Sequence, residues 1–357
     1  MPSEISRPEV FARFLDLSRK IGGDILKTQG AGGNTSLKQD GVMWVKASGM
    51  WLSEARARDI MVPVEVAPLV AALRQGDPRA ETATDFVIAD LNTSGLRPSI
   101  ETSFHAALRA PVVAHYHCVN TIAHAVLEDR DTRLNERMAT LPDLTFATIP
   151  YRRPGVPLAR EIERMADRQP DVLVLYNHGV IVCGMTTEEV ADRIERVTAV
   201  LAIQPRQSSL PDTDFLVDLS KDSGFRPASD PVSHRTALDP ASLKVATGGS
   251  LYPDHVIFLG TKIGIVPDGQ SIADVLGDYA QRNEPLPKML IVPGKGVLLS
   301  ETLTPGGAVM ARCLADVVTR VPADARIAYI TEAGEYELIH WEAEQYRQAL
   351  DRKSAER

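Results

Sequence analysis

Residues 112–118 read Val112-Val113-Ala114-His115-Tyr116-His117-Cys118. The β-branched and aromatic content predicts a strand. In a strand, residues i and i+2 point to one face, so His115 and His117 share a side and Tyr116 takes the other. Two imidazoles on one face can converge on a single ion, as zinc requires at about 2.0–2.1 Å per nitrogen. The alternative is two unrelated histidines, one buried and one exposed. A third histidine, His178, follows the apolar run Val172–Tyr176 and stands between Asn177 and Gly179. It is either a structural residue at a strand end or a third ligand. As a ligand it completes the open three-residue site of a catalytic zinc, with a position left for substrate or water.

Working outward, residues 9–21 have the spacing of an amphipathic helix, with Phe11, Phe14, Leu15, Leu17 and Ile21 on one side. A glycine cluster, Gly30-Ala31-Gly32-Gly33, leads to Asn34-Thr35-Ser36. Val42–Val45 predicts a strand entering the turn Lys46-Ala47-Ser48-Gly49. Residues 79–90 and 99–108 predict helices. Val172–Cys183 predicts a hairpin turning through Asn177-His178-Gly179. Thr187–Ile203 predicts a helix whose Thr186 or Thr187, followed by Glu188 and Glu189, gives a capped, acidic start.

Residues 206–250 are rich in Pro, Ser and Asp and are expected to be a linker or irregular crossing. Beyond them, residues 255–260, 262–266, 288–294, 296–299 and 326–330 predict strands. Residues 271–281, 308–319 and 336–350 predict helices. The expected organisation is a metal-binding domain over 1–205, the crossing over 206–250, and a smaller C-terminal α/β domain over 251–357.

The chain has 357 residues, 44% hydrophobic and 24% charged, with net charge −8. An acidic balance without a basic stripe argues against nucleic acid or an anionic membrane as partner. Cys118, Cys183 and Cys313 form no CxxC pair, so neither a dithiol redox motif nor a cysteine zinc site is indicated. There is no signal-type apolar core and no apolar run near the roughly 20 residues of a membrane span, so a cytoplasmic protein is expected.

Glu101, in Ser99-Ile100-Glu101-Thr102, is either a surface helix carboxylate or a group beside the metal. In the second role it binds the ion at rest and acts as base when substrate displaces it. His105, four residues on, shares its helix face and is expected to be structural or supporting. The Gly30–Ser36 stretch and Ser48-Gly49 are ordinary turns by themselves. Lys46 beside them offers a cation, or is solvated like most lysines.

Taken together and in this order, these pieces resemble the class II aldolase/adducin family. Gly33-Asn34-Thr35-Ser36 resembles its G-N-[IT]-S loop, and Lys46-Ala47-Ser48-Gly49 stands where many members have T-P-S-G. Pro98-Ser99-Ile100-Glu101 stands where they have a serine pair followed by the catalytic glutamate. His115-Tyr116-His117 and Asn177-His178-Gly179 match the zinc-ligand motifs, and Gly184 with the helix after it matches the next turn. The resemblance implies a three-layer α/β/α sandwich on a mostly antiparallel sheet, in a homotetramer. It implies Zn2+ held by His115, His117 and His178, with Glu101 as acid/base and resting ligand. It implies Asn34, Ser48, Gly49 and Ser99 around the substrate phosphate. Lys46 and Ile100 depart from the family pattern, and Lys46 is expected to supply a charge to an anionic substrate. Tyr336 and Tyr346 are candidate proton donors by location only.

A narrower likeness spans nearly the whole chain. Residues 150–159, 252–260, 287–297 and 335–345 are similar to the aldolase half of rhamnulose-1-phosphate aldolase/dehydrogenase fusions. No dehydrogenase portion follows, so no dinucleotide site is expected. The expected activity is that of a lyase: zinc-dependent, reversible cleavage of a sugar, a ketose 1-phosphate foremost, to a dihydroxyacetone-phosphate-like ketone and a short aldehyde. The alternatives are an epimerase or decarboxylase on the same site, or a non-enzymatic adducin-like assembly module.

Overall fold

The computed structural model describes residues 9–341 and residue 349. They form two compact units. The first takes residues up to His117, Thr140–Leu175 and Val180–Val200; the second takes Cys118–Ala139, Tyr176–Gly179 and residues from Leu201 on.

The first unit is built on a seven-stranded sheet. Its strands are β1 (Asn34–Gln39), β2 (Val42–Lys46), β3 (Met61–Glu65), β4 (Val112–Tyr116), β5 (Phe146–Ile149), β6 (Val172–Leu175) and β7 (Gly179–Gly184), in the order β3-β2-β1-β4-β7-β6-β5. The β1/β2, β2/β3, β1/β4 and β4/β7 pairs are antiparallel, while β5/β6 is parallel. Alternation along β2 shows how the layers form. Met43 and Val45 join the core made with Leu69, Leu73, Phe104, Leu158 and Ile162 of helices 66–75, 102–107 and 156–166. Trp44 points the other way and meets Phe11 of helix 11–22 edge-on at 6.0 Å. Helix 187–200 packs beside helix 11–22. The mostly antiparallel sheet therefore lies between two helical layers, the α/β/α sandwich expected from the sequence.

Several elements differ from the sequence expectation. Residues 79–90 form no continuous helix; short 3₁₀ turns at Pro78–Ala80, Thr84–Phe86 and Ala89–Leu91 replace it. The left-handed Ala83 (φ 56°) interrupts the helical run. The helix expected over 99–108 covers only Thr102–Ala107 and leaves Glu101 at its mouth.

The second unit has a four-stranded sheet made of β8 (Phe225–Pro227), β9 (Gly264–Ile265), β10 (Met289–Val292) and β11 (Gly296–Ser300), in the order β8-β11-β10-β9. The stretch 206–250, expected to be a linker or irregular crossing, carries helices 213–220, 235–238 and 240–247 besides β8. Its Asp and Pro residues start helices. Asp212 accepts from the Phe215 N–H, and Asp239 accepts from the Ser242 N–H ahead of Pro240. Residues 255–259, expected as a strand, form a wholly buried π-helical turn. A short apolar run does not distinguish buried strand from buried helix. Of residues 326–330 only Ile327 makes a bridge, to Leu127. Among the described residues no helix is long and apolar enough to cross a membrane.

The second unit also carries a titratable histidine in its interior. His124 donates from Nε2 to Leu201 O at 3.2 Å, and burial lowers its pKa to about 4. The unfolded chain, with a histidine near 6.5, then takes the proton first. Stability present at pH 7 is lost as pH falls from about 6.5 towards 4. His124→Gln keeps a donor for Leu201 and removes the titration. With both proteins stripped of metal, its melting temperature is expected to fall less than wild type between pH 6.5 and 4.5. Parallel curves would contradict this.

Candidate metal centre

The β1/β4 register sets Asn34 opposite His115, so the two side chains share a sheet face. Gly33 makes the approach possible. Its φ is +67°, and a Cβ there would lie 3.1 Å from His115 O. His115 is completely buried. Its Nδ1 donates to Val180 O at 3.1 Å, which fixes the tautomer and leaves a lone pair on Nε2. That Nε2 lies 3.1 Å from His117 Nε2. One donor atom from each of His115, His117 and His178 falls within 4.8 Å of the others, and all three residues are buried.

This donor set fits a divalent metal. Nitrogens held about 2.0–2.1 Å from one ion and 3.1 Å apart subtend roughly 100°, close to a tetrahedral angle. Three neutral imidazoles suit zinc among the available metals. Val180 O also orients His115 through its other ring nitrogen, the kind of contact that typically holds a metal-binding histidine in place.

Glu101 lies beside the histidines, 7% exposed, with Oε1 3.5 Å from His115 Nε2. It is a buried group rather than a surface helix carboxylate. Ser99 positions it: the Glu101 N–H donates to Ser99 Oγ at 3.3 Å. His105 accepts or donates at Nδ1 with Ser36 Oγ at 2.8 Å and stacks on Phe104 at 4.7 Å. Burial, followed by the nearby Lys38 charge, holds its pKa well below the usual histidine range. It is a neutral strut under the β1/β4 pair, as its helix face suggested.

The turn Lys46–Gly49 is zipped to the segment before Glu101. Ser48 N–H donates to Arg97 O, Ser99 N–H donates to Lys46 O, and Ala47 bridges Pro98. Lys46 does not face solvent. It is 2% exposed, and its Nζ donates to Ala31 O at 2.7 Å and to Met50 O at 2.8 Å. It thus braces the glycine loop against the turn. Gly49 adopts φ +73°. Among the described residues, neither side-chain atom of Asn34 nor the Ser48 hydroxyl has a hydrogen-bond partner, although all three atoms are buried. An unsatisfied buried polar group costs about 1–3 kcal/mol.

Some residues around the histidine trio were not foreseeable from sequence. Gln29, fully buried, donates from Nε2 to His117 O at 3.3 Å, yet a glutamine before a glycine loop carries no signal. Tyr336 is exposed on helix 332–339, and Tyr346 lies outside the described residues.

The model of the class II aldolase and adducin N-terminal domain matches residues 13–204, more than half of the chain. The chain belongs to that family. Among curated relatives, a Bacillus subtilis protein called uncharacterized oxidoreductase YuxG is 29% identical over 185 residues, 48% of this chain and 26% of its own. The 3-oxo-tetronate 4-phosphate decarboxylase of Escherichia coli O6:H1 is 33% identical over 120 residues, 29% of this chain and 53% of its own. The chain thus spans at most about half the length of these curated relatives. A solved N-terminal class II aldolase domain from Thermoplasma acidophilum is 25% identical with a TM-score of 0.47, covering 56% of this chain and 95% of that one. L-fuculose 1-phosphate aldolase is 16% identical with a TM-score of 0.42, covering 56% and 86%.

Proposed function

We propose that the protein is a zinc-dependent lyase that reversibly cleaves a sugar phosphate, in the first instance a ketose 1-phosphate, by aldol chemistry. The observation that carries this reading is the buried trio His115, His117 and His178 with the Glu101 carboxylate 3.5 Å from His115 Nε2. A scaffold has no use for that arrangement, so the reading sets an adducin-like assembly role aside. Zinc held by the three histidines would act as a Lewis acid, stabilising negative charge on the substrate oxygens next to the reacting carbon.

The protein's own groups would do the rest. Glu101 takes and returns the proton on the carbon beside the carbonyl, a role its buried position favours. The Val180 carbonyl keeps His115 in the tautomer that offers Nε2. The unsatisfied Asn34 amide and Ser48 hydroxyl, with the Gly49 turn, receive the phosphate, and Ser99 adds its contact through the loop that orients Glu101. Lys46 brings a buried positive charge to the same loops.

The decarboxylase relative supports a second reading on the same residues. Loss of CO2 from a 3-oxo acid leaves electron density beside a carbonyl, as aldol cleavage does. Incubating the metal-loaded protein with ketose 1-phosphates and with phosphorylated 3-oxo acids separates the two, because one releases an aldehyde and the other CO2. Absence of either product from every substrate would remove the proposal.

Charge selection is testable at Lys46. Hydrogen bonds involving charged groups contribute about 1.5–3 kcal/mol, so Lys46→Met should raise KM roughly 10- to 100-fold for the phosphorylated substrate. The dephosphorylated analogue should change only a few-fold. Equal changes for both would leave Lys46 with its bracing role alone.

A further inference from the structure

We propose that Asn177 is the positioning residue of the metal centre, setting metal affinity by tethering the turn that carries His178. The proposal rests on the reading that His115, His117 and His178 hold a metal.

Asn177 sits at φ 53°, in the left-handed region that asparagine and glycine tolerate best. Backbone conformation alone would accept either residue. The side chain separates them. Asn177 Nδ2 donates to Leu251 O at 3.0 Å and to Ala328 O at 2.6 Å. Its Oδ1 accepts from Arg130 Nη1 at 3.4 Å. Both amide hydrogens and the amide oxygen are therefore used, from three separate segments of the second unit.

Those segments are themselves fixed. The Ala328 N–H donates to Val126 O at 2.8 Å, and the neighbouring Ile327 bridges Leu127. The Leu251 N–H donates to His255 Nδ1 at 3.3 Å, and the Ile330 N–H donates to Ser250 O at 2.9 Å. The residue before Asn177 is clamped as well. The Arg130 guanidinium lies over the Tyr176 ring at 4.1 Å, and the Tyr176 hydroxyl donates to Asp131. Both residues leading into His178 are thus anchored, and its imidazole starts from an immobilised backbone.

A ligand on an ordered turn loses little freedom when the ion arrives, whereas one on a loose turn must be ordered at the expense of binding. Residues that orient metal ligands from outside typically contribute 10- to 100-fold in affinity. The three tethers run to residues of the sequence beyond position 250 and to Arg130, so residues without a metal motif of their own tune the centre.

The test uses the full-length protein and Co2+, whose visible absorption reports ligand geometry. Affinity is measured by chelator competition, with far-UV circular dichroism and melting of the apo protein alongside. Asn177→Gly keeps the left-handed backbone and removes every tether. It is expected to bind Co2+ about 10- to 100-fold more weakly, with an altered spectrum, while circular dichroism remains that of the wild type. Wild-type affinity and spectrum in this variant would overturn the proposal. Should Asn177→Gly not fold, Arg130→Met loosens the same turn from a partly exposed position and should give a smaller, few-fold loss; unchanged Co2+ binding there would likewise overturn it. Wild-type protein that takes up no Co2+ would instead remove the metal reading on which the proposal stands.

Discussion

Replacing Glu101 with glutamine is expected to leave the metal bound and to lower turnover by about 10²–10⁴-fold, the usual contribution of a positioned general base. Glutamine keeps the volume and the backbone N–H that donates to Ser99 Oγ, so the mouth of helix 102–107 should hold its shape. What disappears is a carboxylate able to accept a proton 3.5 Å from His115 Nε2. The same variant should stop exchanging solvent deuterium into the carbon beside the carbonyl of the ketone product. Near-normal turnover with metal retained would assign the proton transfer to another group.

Loss of His115 should be more complete. His115→Ala removes one of the three proposed ligands and the imidazole that donates to Val180 O from a fully buried position. Its activity is expected to fall below detection and to stay there when metal is added back. Wild-type protein stripped with a chelator should lose activity equally and recover it with Zn2+. Ligating histidines must be neutral, so reloading should weaken as pH falls. Recovery of activity by His115→Ala, or a stripped wild type that remains active, would contradict the account.

The parts of this site that were legible in the sequence are those fixed by strand geometry. His-x-His in a β-branched run favours both imidazoles on one face; β4 carries His115, and His117 follows one residue past its end with its donor atom still beside that of His115. Asn177-His178-Gly179 reads as a turn because asparagine tolerates positive φ, and the β6/β7 hairpin turns there. Glu101 was legible by its place in the family order, but its burial was not, since a short helix and a surface helix share one pattern. The bracing contacts of Lys46 were not legible, because its partners, Ala31 O and Met50 O, are backbone atoms brought close by the fold. The second unit was the least legible. Its Pro, Ser and Asp residues suit linkers and helix caps alike, and only tertiary pairing of β8 with β11 decides between them.

The central claim is that His115, His117 and His178 hold one catalytic metal ion. Elemental analysis of protein purified without chelator, run beside His115→Ala and His117→Ala, tests it most directly. About one divalent ion per chain is expected in the wild type, zinc foremost, and far less in either variant. A wild type that carries no metal and cannot be loaded, or variants that carry as much as the wild type, would contradict it.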